Sequence, residues 1–162
     1  MINKCLLAFA MLLATGCVNR QKQIMQATKD DGLLQEKTIK GFVFKMQYMH
    51  TEDKALLHFV VNIRDSNGNG VNGADENRFS YGLDSLFGIV NVTDTLHPVD
   101  VIRVANGGIG GVQYLVLFDR PLAYSDVNLF LFFKDQLFTQ QFITFPLKGN
   151  AINHIDSLSQ KI

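Results

Sequence analysis

The chain of 162 residues predicts an all-β fold, an antiparallel β-sandwich of about seven strands followed by a short C-terminal helix or tail. Three observations lead there. From residue 41 onward apolar and polar residues alternate at a period of two. The candidate strands are short and evenly spaced. Gly, Asn, Asp and Pro fill the gaps in which an α/β fold would need helical patterns of ten or more residues.

The first strand in chain order is 42–49, where Phe42, Phe44, Met46 and Tyr48 alternate with Val43, Lys45, Gln47 and Met49. In the next, 57–64, Leu57, Phe59, Val61 and Ile63 make an apolar face and His58, Val60, Asn62 and Arg64 a wetter one. Five further runs follow at 87–93, 98–105, 112–119, 127–134 and 137–147. The runs 98–105 and 112–119 form a hairpin, because Asn106-Gly107-Gly108-Ile109-Gly110-Gly111 supplies the positive-φ residues of a tight connection. Phe59, Val61, Ile63, Val116, Phe118, Leu129, Leu131 and Phe133 are expected between the two sheets. The tail 150–162 carries Ile152, Ile155, Leu158 and Ile162 at roughly helical spacing, which suits either a short packed helix or a fraying end.

The segment before the sandwich has a different character. Met1-Ile2-Asn3-Lys4 is short and positively charged, and no charged residue occurs from Cys5 to Ala14; the apolar run is too short for a comfortable membrane span. It closes on Leu13-Ala14-Thr15-Gly16-Cys17, which resembles the lipobox of bacterial lipoproteins. The resemblance implies that residues 1–16 are a signal peptide and that Cys17 carries a diacylglyceryl thioether, with cleavage after Gly16. Val18-Asn19 after the cysteine, where an inner-membrane protein of this kind usually has Asp, points to the outer membrane. Residues 17–40 are then a lipidated N-terminus and flexible tether, holding a domain of residues 41–149 on the order of 25 Å from the membrane. A short helix within 21–27 would shorten that reach.

Composition narrows the function classes. With 15 basic and 15 acidic residues and no basic stripe, nucleic acid is not an expected partner. The two cysteines are Cys5, in the discarded segment, and Cys17, so thiol chemistry and disulfides are not expected of the mature domain.

Three motifs overlie residues 65–76. Gly68, Gly70 and Gly73 spell a dinucleotide fingerprint, but that motif needs a helix N-terminus within a parallel βαβ unit, so no nucleotide is expected. Asp65, Asn67, Asn69 and Glu76, with the Val71 carbonyl, match the oxygen ligands of a calcium loop, although a strand precedes them and carboxylates are few. The favoured reading is a turn: 65–74 resembles the D-x-x-G-x-x-V-x-G-A signature of immunoglobulin-like and transthyretin-like bacterial sandwich modules. That resemblance implies a fold element rather than an activity. No cofactor is expected beyond the lipid on Cys17, with calcium as the alternative.

His50, His58, His97 and His154 stand apart, no nucleophile-elbow motif occurs, and no catalytic residue is assigned. The strand 127–134 is unusual in being apolar on both faces. With Leu129, Leu131 and Phe133 directed inward, Phe130 and Phe132 point out, beside Phe138 and Phe142 if 137–147 pairs with it. Such a four-Phe patch would either be covered by the C-terminal tail or receive a partner. The expectation is therefore a membrane-anchored, non-catalytic lipoprotein whose sandwich binds another envelope protein, the alternative being a displayed module for calcium or carbohydrate.

Overall fold

In a computed structural model, residues 20–67, 82–91, 94–104, 111–121 and 128–160 are described. They form two antiparallel sheets. The first contains β1 (Leu34–Ile39), β2 (Phe42–Met49), β3 (Leu56–Asp65), β6 (Asp100–Val104) and β7 (Gly111–Asp119), in the order β1-β2-β3-β7-β6. The second contains β4 (Phe87–Val90), β5 (Thr95–Leu96), β8 (Asn128–Lys134) and β9 (Phe142–Lys148), in the order β5-β4-β8-β9. A short 3-10 helix, Leu83–Leu86, leads into β4. Helix α1 covers residues 20–30 and helix α2 is Gly149–Gln160.

The period-two reading identifies the core. All eight residues expected between the sheets are buried, and Phe44, Tyr114, Phe87 and Phe145 join them in one cluster. Rings interlock across the two sheets: Phe44 lies 6.1 Å from Phe133 and Tyr114 lies 5.6 Å from Phe87. The expected hairpin is present as β6 against β7, with Asp100 opposite Leu117 and Val104 opposite Gln113.

Nine strands occur among the described residues rather than about seven, and the largest correction lies upstream of residue 41. Residues 20–40 of the expected flexible tether are helix and strand packed on the sandwich. In α1, Ile24 and Ala27 pack on the core and Thr28 is buried, while Leu33 just beyond it is fully enclosed. Strand β1 pairs along its length with β2 through a two-residue connection, Lys40-Gly41, both at positive φ (49° and 81°). That conformation matches the right-handed twist of a hairpin, and glycine adopts it without strain. The boundary expected at Gly41 thus falls inside a hairpin, and the folded unit begins by residue 20.

The polar residues of β1 and of the turn after it explain why this stretch looks like a tether. Gln35 donates from Nε2 to the Pro146 carbonyl at 2.6 Å, Lys37 places its ammonium 5.6 Å from the Phe145 ring centroid, and Lys40 donates to the Thr139 carbonyl. Their apolar stems lie along the edge of the sandwich and their polar ends bridge to the other sheet.

The last strand also begins later than the expected 137. Asp135, almost fully buried, accepts the backbone N–H groups of Leu137 (3.0 Å) and Phe138 (2.9 Å) on Oδ1, and the N–H and hydroxyl of Thr139 on Oδ2 (2.6 Å each). A carboxylate satisfying three successive amides holds 136–139 as a loop, because those amides are then taken from any ladder. Pairing resumes at Phe142, opposite Lys134.

The C-terminal segment resolves as a packed helix. Ile152 and Ile155 are buried against the core and Leu158 is half-buried; Ile162 lies outside the described residues. Helices α1 and α2 run in opposite directions. Arg20 donates to the Leu158 and Ser159 carbonyls at the end of α2, and His154 on α2 meets Asp31, just past the end of α1, at 2.7 Å. Together they close the end of the sandwich where β2 finishes and β3 begins.

Candidate functional site

The outward face of the four-stranded sheet carries the aromatic residues that the sequence singled out. Along β8, Leu129, Leu131 and Phe133 enter the core while Phe130 and Phe132 project the other way. The register places Phe130 between Val90 on β4 and Pro146 on β9, and Phe132 between Gly88 and Thr144. Phe130 is 44% exposed and Phe142 60% exposed, the latter among the most exposed large apolar side chains described.

The expected four-Phe patch is nevertheless not what forms. Phe132 is only 5% exposed, because its ring lies over Gly88 on one strand and stacks on Phe142 on the other side, at 5.1 Å between centroids and 25° between planes. The Lys134 ammonium sits 5.4 Å from the Phe132 centroid, a cation–π contact that keeps a charge at the rim. Phe138, held in the Asp135 loop, turns instead to Phe42 on the other sheet at 5.3 Å. The open surface is therefore Phe130 and Phe142, with Val90 and Pro146 flanking Phe130. Pro146 also lies on the edge strand β9, where it withholds one N–H from any strand that might add there, so the face of the sheet is better suited to contact than its edge.

Gly88 sets this surface. A Cβ at that position would overlap Cζ and Cε1 at the edge of the Phe132 ring and lie 3.3 Å from the Leu96 carbonyl oxygen. We expect Gly88→Val to expel the ring and cost about 1–3 kcal/mol by overpacking. In urea denaturation, the double variant with Phe132→Ala should lose less than the sum of the two single losses; strict additivity would show that the ring does not depend on the gap.

A second grouping, missed by the sequence reading, lies under the helices. Asp156 of α2 is 9% exposed and gathers three partners: the Tyr48 hydroxyl donates to Oδ1 at 2.7 Å, His50 Nδ1 stands 3.1 Å from the same oxygen, and Arg120 meets Oδ2 at 2.7 Å. Arg120 also donates to the Tyr48 hydroxyl oxygen and the Leu56 carbonyl, each at 3.3 Å. Burial, then the adjacent carboxylate, push the Tyr48 phenol well above its ordinary range, so it remains a neutral donor. The signal available in sequence was a carboxylate on a buried stripe: Asp156 lies four residues after Ile152, beside the face that Ile152 and Ile155 define. This cluster fastens α2 to β2, β3 and the residue following β7.

Elsewhere, Asp65 Oδ1 accepts the Asn67 N–H at 2.7 Å, the local contact of an Asx turn. Asn69, Val71 and Glu76, like Cys17, lie outside the described residues. Among the described residues no three His, Cys, Asp or Glu side chains gather to hold a metal ion, and no helix is long and apolar enough to cross a membrane. A shallow cleft of about 260 Å³ runs between the end of α1 and β8–β9, lined by Asp30, Asp31, Gln35, Asn128, Phe130 and Lys148.

The geometry defines an antiparallel two-sheet domain, sandwich-like, with one aromatic outer face and one helix-capped end. No family model, curated protein or solved structure matches the chain.

Proposed function

We propose that this chain is a lipid-anchored protein of the bacterial envelope, an immunoglobulin-like or transthyretin-like sandwich that acts by binding another envelope protein and not by catalysis. The observation that carries the binding half is the exposure of Phe130 and Phe142 on one sheet face, since large aromatic rings left in water are characteristic of contact surfaces. The lipobox-like run ending at Cys17 supports the anchor, and Val18-Asn19 after it support the outer membrane. The Asx turn at Asp65 is the local contact expected of the turn in those sandwich modules. The polar side chains that converge in the interior, Tyr48, His50, Arg120 and Asp156, bond chiefly to one another, an arrangement suited to holding a helix.

Two measurements test the two halves. Cys17→Ser should abolish lipid labelling and either release the protein from membranes or leave the precursor uncleaved; normal membrane attachment of that variant refutes the anchor. A photo-crosslinking residue at Phe142 should trap one discrete protein adduct in cells, weakened by Phe130→Ser, while the same residue at Lys45 on the other sheet should not. If no adduct forms from position 142 in a normally folded protein, the binding face is wrongly assigned.

A further inference from the structure

We infer that the outward face of α1 rests on the phospholipid surface, with Lys22 and Lys29 against anionic headgroups and Met25 between them. The inference builds on the lipid-anchor reading of Cys17 and concerns how that anchor holds the domain.

Only Val18 and Asn19 separate Cys17 from Arg20, where the described part of α1 begins, and three Cα–Cα links span no more than about 11 Å. A flexible tether would give the domain freedom to stand away from the membrane, but residues 20–40 are not one. Ile24 and Ala27 pack on the core, Arg20 is bonded to two carbonyls of α2, and β1 is built into the sheet. An acylated Cys17 therefore holds the start of a docked helix within about 11 Å of its own lipidated end, close enough that one face of the domain lies against the headgroups.

Helical periodicity selects that face. Ile24, Ala27 and Thr28 form the stripe turned toward the core. On the opposite side, at spacings of three, four and seven, come Lys22, Met25, Gln26 and Lys29, all exposed, Met25 at 58%. The described helix is about 16 Å long, so lying flat it brings both lysines to the surface together. The charge is complementary: the stripe holds two ammonium groups and no carboxylate, and Asp30 at its margin accepts a hydrogen bond from the Gln26 amide at 2.8 Å. A thioether whose preferred place is at the acyl boundary between two cations is the composition of an interfacial helix face. A protein partner would have to enter a gap that the short connection leaves no room to open.

The mature lipidated chain has no free thiol, since Cys5 leaves with the signal and Cys17 is blocked, so single cysteines can be spin-labelled cleanly. Lipidated protein carrying Met25→Cys, and separately Gln141→Cys at the far end of the sandwich, would be reconstituted into vesicles of phosphatidylethanolamine and phosphatidylglycerol doped with a nickel-chelating lipid. We expect paramagnetic relaxation at position 25 to exceed that at 141 several-fold, and Lys22→Glu/Lys29→Glu to reduce the difference. Equal relaxation at the two positions, in protein that floats with the vesicles, overturns this orientation and leaves the anchor standing; relaxation at 25 indifferent to the charge reversal overturns the headgroup contact. A mass for the native protein showing Cys17 unmodified overturns the anchor and this inference with it.

Discussion

Phe133→Ala will lower the unfolding free energy by about 3–5 kcal/mol, read as a fall in the urea midpoint with an unchanged slope. Phe133 is fully enclosed and touches both sheets. It stacks on Phe87 at 4.7 Å and 17°, and lies 6.1 Å from Phe44 and 6.4 Å from Tyr114 on the facing sheet. Truncation removes the ring that joins three others, and the remaining rings, fixed by their own strands, close on the space only in part. The loss is therefore the transfer free energy plus a cavity term. Phe142→Ala provides the internal contrast: 60% exposed on the outer face and losing chiefly its stack on Phe132, it should cost only about 0.5–1.5 kcal/mol. If Phe133→Ala cost no more than Phe142→Ala, the face-to-face packing of the two sheets would be wrong.

Asp156→Ala should cost about 3–5 kcal/mol and release α2 before the sheets unfold. The side chains of Arg120 and Asp156 are 18% and 12% exposed, so the guanidinium left behind loses its partner in a place where water compensates poorly. The Tyr48 hydroxyl loses its acceptor at the same time. Limited proteolysis should cut within Gly149–Gln160 in the variant and spare it in the parent. The double variant Asp156→Ala/Arg120→Met should recover part of the loss, because a buried pair replaced as a unit costs less than a pair broken on one side. Full resistance of α2 in Asp156→Ala would mean that its apolar residues and its contacts with Arg20 and Asp31 hold the helix without the Asp156 cluster.

Legibility in the sequence followed how directly a side chain's polarity reported its burial. In β3 every inward residue is apolar, from Leu57 to Ile63, and the reading identified strand, face and core together. In β1 the residues on the core-facing side are Gln35, Lys37 and Ile39, and only the last is apolar; the other two meet the opposite sheet through a polar head, which composition alone reads as solvent-facing. Strand β5 has two residues, too few for any period to show. The aromatic face was half legible: the alternation of β8 directs Phe130 and Phe132 outward, but Phe132 is covered by virtue of a missing Cβ on the neighbouring strand, and Phe138 is withdrawn by the Asp135 carboxylate. The Asp156 cluster joins residues more than a hundred positions apart, a convergence that periodicity does not report.

Strand β3 has one neighbour that precedes it closely and one that arrives late. Its pairing with β2 needs only a local turn, whereas Leu57 finds Phe118 roughly sixty positions downstream, after the chain has crossed to the other sheet and returned. As the chain folds, a three-stranded piece comprising β1, β2 and β3 can form early, with the ten-residue edge of β3 unpaired. Loop closure over that distance is slow compared with hairpin formation, and an unpaired apolar edge is a template for other chains. The step that commits this protein to its native topology is therefore the arrival of β7, and the interval before it is when a chaperone would be of most use.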